Sequence, residues 1–401
     1  MKKLRITAIL LALAMLFAVA ACGGPSPSPA PAQPTPPDGG SDPADPEQPA
    51  DPEQPADPGQ TDDEPGDGLR IVIVTSGSSV DDGSFNQDNF EGINDFIALN
   101  PNATVRAVTS SEIANSLNDV EAVIADFDVI VLPGFQFAAV SALAVENPDK
   151  YFILVDSDPA PVDGVEEFPN IYAMTFREQE SGFFAGIAAA LETQSGKVAF
   201  IGGIAFPPVV NYQFGFEAGV RYANANLGAN AELIALPAYS GEDVRGVNVG
   251  GNYVQDFGDP ATGKVIAEAL INAGVDIIFV AAGASGNGAF TAAKENTGIM
   301  VIGCDVDQFD DGVFAGGNIV LTSALKNMRI NVTRQLSAIN DGAFTGGNYT
   351  LGADTDSSGF VSASGRHQLS DNALAAAQSA YERVKSGELI PPGNFSDGNI
   401  D

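Results

Sequence analysis

The run Leu69-Arg70-Ile71-Val72-Ile73-Val74, followed shortly by Val80-Asp81-Asp82-Gly83-Ser84-Phe85-Asn86-Gln87, decides how this chain folds. A short β-branched run that ends in a Ser/Gly/Asp-rich turn reads as a buried strand. The spacing of Phe90, Ile93, Phe96 and Ile97 reads as the helix that follows it. Phe85 and Asn86 are thereby placed at the carboxyl end of a strand, where open α/β sheets gather their ligands.

Outward from that stretch the same alternation continues. Strands are predicted at 71–75, 104–107, 129–132, 151–156 and 171–176, then at 197–201, 231–236, 277–281 and 300–304. Helical patterns at 87–99, 115–125, 139–147, 179–192, 212–225, 261–273 and 289–296 separate them. Such alternation gives parallel sheets covered on both faces. The fold class is therefore α/β, with two doubly wound parallel-sheet lobes joined by a hinge. Residues 69–175 form lobe 1, completed by part of 322–345; 176–321 form lobe 2; 322–401 hold a crossover segment and C-terminal elements shared between lobes. Ligand-driven closure of an interlobe cleft is the expected motion.

The amino terminus gives the location. Lys2, Lys3 and Arg5 precede an apolar run from 6 to 21 that ends Val19-Ala20-Ala21-Cys22-Gly23. Residues 1–21 read as a lipoprotein signal, cleaved before Cys22, which is then diacylated on sulfur. The run is shorter than the ~20 residues a membrane span needs. Residues 22–68 are the lipidated cysteine and a tether of Pro, Ala, Asp, Glu, Gln, Ser and Gly, with Ala-Asp-Pro-Glu-Gln-Pro at 44–49 and again at 50–55. Nothing in it can be buried, so it stays extended, and at ~3.1 Å per residue it reaches roughly 140 Å. The expected place is the outer face of the cytoplasmic membrane.

Formal charge is −34, from 18 basic and 52 acidic residues. With the basic leader and the acidic tether set aside, residues 69–401 carry about −26. Nucleic acid is excluded as a partner, because phosphates need a basic footprint. The cysteines are Cys22 and Cys304, so with Cys22 acylated no intramolecular disulfide forms. His367 is the sole histidine, which removes histidine triads and histidine-rich metal sites, and it is expected in an exposed loop. Gly283-Ala284-Ser285-Gly286-Asn287-Gly288 lacks the Gly-Lys-Ser/Thr ending of a phosphate loop. Asp305, Asp307, Asp310 and Asp311 do not have the spacing of a twelve-residue calcium loop and read as a solvated acidic face. No cofactor, metal or catalytic step is expected.

Seven further motifs recur in order. They are Glu180-Ser181-Gly182-Phe183-Phe184-Ala185-Gly186, Gly196-Lys197-Val198-Ala199-Phe200-Ile201-Gly202, Gly215-Phe216-Glu217-Ala218-Gly219, Asp256-Phe257-Gly258-Asp259-Pro260, Ala281-Ala282-Gly283, Gly303-Cys304-Asp305-Val306-Asp307, and Thr322-Ser323-Ala324-Leu325-Lys326. With the opening stretch and the lipoprotein signal, they resemble the basic membrane protein family, the lipoprotein solute receptors of ABC importers that bind purine nucleosides. The resemblance implies a fold of the type I periplasmic-binding-protein kind, a nucleoside-like ligand in the cleft, an ABC permease and ATPase as partners, and a monomer. Alternatives are a receptor for another small polar solute such as a sugar, and a surface or signalling receptor that serves no permease.

By the same resemblance, Phe85 and Phe257 close on a flat base from opposite lobes. Asn86 meets a ring edge or the ribose, or else caps its own turn. Gly283 lets backbone approach the ligand, Asp305 accepts from the ribose hydroxyls with Asp307 orienting it, and Lys326 pairs with Asp305 and donates to the sugar. The base-reading half departs from the family pattern. Ser76 follows Thr75 where the family usually has aspartate, and Gln136-Phe137-Ala138-Ala139 stands where the family commonly has a carboxylate shortly after Gly134-Phe135, leaving Ser76 and Gln136 as weaker substitutes. Shallow selectivity among bases is the expected result.

Overall fold

In a computed structural model the described residues are 68–400. The leader, Cys22 and the tether through residue 67 lie outside them. Along the chain come β1 (Arg70–Ser76), α1 (Phe85–Leu99), β2 (Thr104–Ser110), α2 (Ser116–Val123), β3 (Val129–Pro133), α3 (Ser141–Glu146), β4 (Tyr151–Val155) and β5 (Ile171–Phe176). Then follow α4 (Glu178–Glu192), β6 (Lys197–Gly202), α5 (Pro207–Asn226), β7 (Glu232–Leu233), the small hairpin β8 (Gly241–Glu242) and β9 (Asn248–Gly250), α6 (Pro260–Asn272), β10 (Ile277–Ala281), α7 (Gly286–Glu295) and β11 (Met300–Asp305). A second hairpin, β12 (Val313–Phe314) and β13 (Gly317–Asn318), leads to β14 (Val320–Lys326), α8 (Met328–Asn340), β15 (Gly347–Leu351), β16 (Ser358–Phe360) and α9 (Asp371–Lys385).

The strands form two six-stranded sheets, β15-β5-β4-β3-β1-β2 and β16-β14-β11-β10-β6-β7. All neighbours are parallel except β14 and β16. Each central strand is buried on both faces, which is why the sequence runs are continuously apolar. Ile71, Ile73, Val129, Val131 and Ile153 pack on one side of the first sheet; Val72, Val74, Ile130, Leu132 and Leu154 pack on the other.

The chain passes between the lobes three times, after β5, after β14 and between β15 and β16. One expected boundary changes as a result. The strand that completes the first sheet is β15 at 347–351, beyond the 322–345 window, while β14 belongs to the second sheet and only α8 packs back on α1. Edge strand β7 is two residues long rather than six, and α5 begins at Pro207, five residues before the predicted helix. Proline is tolerated there because the first helical N–H groups have no intrahelical partner. Among the described residues no helix is long and apolar enough to cross a membrane.

The glycine-rich motifs of α4 and α5 have a packing cause. A Cβ at Gly186 would lie 2.1 Å from the Phe216 carbonyl oxygen, and one at Gly219 2.1 Å from that of Phe183. The two helix backbones touch, and this fixes where Tyr212 on α5 enters the cleft.

Candidate ligand-binding cleft

Both sheets point their carboxyl ends at one cavity. Ser76 ends β1, Pro133 ends β3, Asp156 follows β4, Ala281 ends β10, Asp305 ends β11 and Lys326 ends β14, and all six line it. The volume open to water centres is about 70 Å³, several times the roughly 10–15 Å³ that one water needs. All eight residues expected at a ligand site, Ser76, Phe85, Asn86, Gln136, Phe257, Gly283, Asp305 and Lys326, line this cavity.

Its first wall is built by the turn before α1. The Asp82 carboxylate accepts from the backbone N–H groups of Ser84, Asn86 and Gln87 at 3.0–3.1 Å, a stable arrangement at a helix amino terminus. Asn86 turns its amide back on this turn, donating to the Ser78 hydroxyl at 2.9 Å and carbonyl at 3.1 Å. The Asn86 amide nitrogen is thus held by its own turn, while the residue still lines the cavity. The Ser84 hydroxyl crosses to the other lobe and donates to Asp305 Oδ2 at 2.8 Å. Gln308 Nε2 donates back to the Gly83 carbonyl at 3.2 Å, so the lobes are in contact.

The apolar wall is aromatic. Phe135 lies 5.6 Å from Phe206, and Phe206 lies 6.1 Å from Phe257, centroid to centroid. Ser285 holds the loop that carries Phe257. Its N–H donates to the Phe257 carbonyl at 2.9 Å, its hydroxyl donates to the Asp256 carbonyl at 2.9 Å, and the same oxygen accepts from the Asp259 N–H. Gly283 reaches this turn with φ +54°, a conformation that favours glycine. Ser76 and Gln136 touch each other: Gln136 Nε2 donates to Ser76 Oγ at 2.5 Å, forming a neutral polar pair.

The polar end is ionic and buried. Lys326, 3% exposed, places Nζ 2.6 Å from Asp156 Oδ2, 3.6 Å from Glu178 and 3.8 Å from Asp305, and 4.7 Å above the Phe85 ring. Its nearest partner is therefore Asp156, not Asp305 as expected. Asp305 instead accepts from Ser84 and, at 3.0 Å, from the Tyr212 hydroxyl. Burial pulls the Lys326 ammonium down, but the charges of Asp156, Asp305 and Glu178 outweigh it and hold it above the usual lysine range. Burial pushes Glu178 up to about 8 against the pull of Lys326, with Asp156 adding to the rise. Burial likewise raises Asp156, opposed by Lys326.

Asp307 does not orient Asp305. It is exposed, pairs with Arg366 at 2.7 Å and accepts from the Phe309 N–H. Of the four aspartates read as a solvated face, Asp305 is buried, at 8% exposure. His367 is half-buried and accepts at Nδ1 from the Leu369 N–H. Sequence reasoning missed Asp156, Glu178, Tyr212, Ser84 and Phe206. Asp156 had one available signal, its place at the end of a predicted strand.

A sequence profile described as "ABC transporter substrate-binding protein PnrA-like" matches residues 70–234 and 245–390. The chain belongs to this family. It is 31% identical over 266 residues to basic membrane protein A2 of Borrelia garinii, covering 65% of this chain and 70% of that protein. It is 27% identical to the CD4+ T-cell-stimulating antigen of Listeria innocua, covering 82% of this chain and 90% of that one. To the ABC transporter nucleoside-binding protein BmpA of Lactococcus lactis it is 28% identical, covering 65% of this chain and 72% of that protein. A solved ABC transporter solute-binding protein from Aeropyrum pernix superposes with TM-score 0.67 at 22% identity, covering 82% of this chain and 94% of that one. The family read from the motifs, and the two-lobed fold, stand.

Proposed function

We propose that this chain is a lipid-anchored, extracytoplasmic receptor that binds a nucleoside between its lobes and delivers it to an ABC permease and ATPase. The observation that supports this most is the division of the cavity into an aromatic wall of Phe135, Phe206 and Phe257 and a buried ionic end of Asp156, Asp305 and Lys326. A nucleoside has the same two halves, a flat apolar ring and a polyhydroxylated sugar. The neutral Ser76–Gln136 pair stands where carboxylates would discriminate between ring edges, so purine and pyrimidine nucleosides should differ little in affinity, while free bases bind distinctly worse. The reading is of a receptor, not an enzyme.

The test is release of the ligand by denaturation, its identification by mass spectrometry, and calorimetric competition among adenosine, guanosine, inosine, uridine, adenine and ribose. Asp305→Ala should weaken nucleoside binding by roughly 2–4 kcal/mol, since a buried charged acceptor is lost and Tyr212 and Ser84 are left without it. Unchanged affinity would take Asp305 out of the site, and failure of every nucleoside to compete would overturn the ligand class.

A further inference from the structure

A serine just before a helix ordinarily turns its hydroxyl back on the first free N–H groups. Ser84 holds that position before α1 and makes no such bond. Asp82 has taken over the task, accepting from the N–H groups of Asn86 and Gln87 and from that of Ser84 itself. The Ser84 hydroxyl, on a residue 4% exposed, is thereby released from its own helix and donates across the cleft to Asp305 Oδ2 at 2.8 Å.

A second contact is prepared in the same way from the other lobe. The Gln308 side-chain oxygen accepts from the Cys304 N–H at 2.9 Å, and the Gln308 backbone N–H donates to the Ser323 hydroxyl at 3.1 Å. So fixed, the amide has Nε2 left to reach the Gly83 carbonyl of lobe 1 at 3.2 Å. Neither Ser84 nor Gln308 lines the ligand cavity. Asp305 lines both that cavity and a groove on its far side, which Gly83 and Ser84 line as well. Two further contacts between the lobes, Lys326 with Asp156 and Phe135 with Phe206, belong to the cavity wall. An ionised carboxylate has about four acceptor positions, so with Tyr212 and Ser84 bound Asp305 can still accept from the cavity side.

Resting on the reading of Asp305 as a ligand contact, we infer that Ser84 and Gln308 form a latch that closes the lobes on the carboxylate that meets the ligand. Both are positioning residues, one acting through Asp305 and the other through the turn that carries Ser84. Opening the cleft breaks their bonds in addition to the ligand's own, so the latch slows release more than it affects capture. Because it is made of protein groups alone, it also moves the ligand-free chain toward the closed form.

The test reads release, capture and lobe separation apart. Ser84→Ala keeps the Asp82 cap and removes the crossing hydroxyl; Gln308→Ala removes the second contact and serves if Ser84→Ala does not fold. The ligand is whichever of adenosine, guanosine, inosine and uridine binds most tightly, radiolabelled and chased after rapid mixing. Dissociation from either variant should be faster by at least about fivefold, and association changed by less than about twofold. Lobe separation is read by electron–electron resonance between spin labels on Glu121→Cys of α2 and Asn226→Cys of α5, both exposed positions, in a chain that also carries Cys22→Ser. Cys304 is buried and stays unlabelled. Without ligand, the distances should lengthen in the variants relative to the same labelled chain with Ser84 and Gln308 intact. A serine that served only its own turn would lower the unfolding midpoint and move neither readout. An unchanged dissociation rate, or an unchanged distance distribution, overturns the latch alone. Failure of every nucleoside to bind overturns the ligand class, and the ligand-free distances then decide the latch.

Discussion

Among the described residues Lys326 is the one cation within 4 Å of the buried acids Asp156, Glu178 and Asp305, all of them under 10% exposed. Removing one partner of a buried ionic cluster leaves the others uncompensated, so Lys326→Met should cost about 3–5 kcal/mol in urea unfolding at neutral pH. The loss should lessen as pH falls, because burial raises Asp156 and it takes up a proton sooner than an ordinary carboxylate; a variant as stable as wild type across the pH series would contradict the role of counter-charge. Glu178 supplies a second prediction. Its folded-state pKa of about 8 lies above the ordinary 4.5, so between those values the folded chain holds a proton that the unfolded chain has released. Stability therefore declines as pH rises across that window and levels off above it. Glu178→Gln should flatten the decline, measured as unfolding midpoints from pH 5 to 9. Asp305 and Lys326 were legible because they sit in motifs with chemical meaning. Asp156 and Tyr212 were not, because one reads as a strand terminator and the other as a helix aromatic. The contact between Asp156 and Lys326 spans 170 residues of sequence, a distance at which local pattern carries no information.

At the level of elements, legibility followed burial. β1, β3 and β4 are continuous apolar runs because both faces are covered, and their positions could be read within a residue or two. β15, Gly347-Asn348-Tyr349-Thr350-Leu351, is an edge strand with polar residues, and β16 is three residues long; neither pattern distinguishes a strand from a loop. The hinge is held by residues of the α4 motif. Glu180 accepts from the Ala353 N–H at 2.7 Å and the Ser358 hydroxyl at 2.5 Å, and Ser181 links β14 to β16 through the Leu325 carbonyl and the Gly359 N–H. The contact between α4 and α5 makes a sharper test. In Gly186→Ala the new methyl would overlap the Phe216 carbonyl, so the helices must separate. A loss of about 2 kcal/mol or more is expected, with weaker ligand binding through displacement of Tyr212. Wild-type stability and affinity together would show that the helices can shift without cost.

For the whole molecule, the anchor and the receptor are proposed as separable functions. Cys22→Ser should move the protein from the membrane fraction to the medium with ligand affinity unchanged, because the acyl chains alone would hold it at the membrane. Retention at the membrane would rule out the lipid. The two lobes share one strand order, and each is finished by chain from the far side of the hinge. The consequence concerns the order of biogenesis. Lobe 1 begins at β1 but lacks its outer strand, and the helix packed on α1, until the ribosome has passed Leu351. Until then β5 has an open edge, and long-range pairing of this kind forms late. A nascent chain made in this sequence is kept incomplete through most of its synthesis, which is the state in which an exported protein can still be threaded across a membrane.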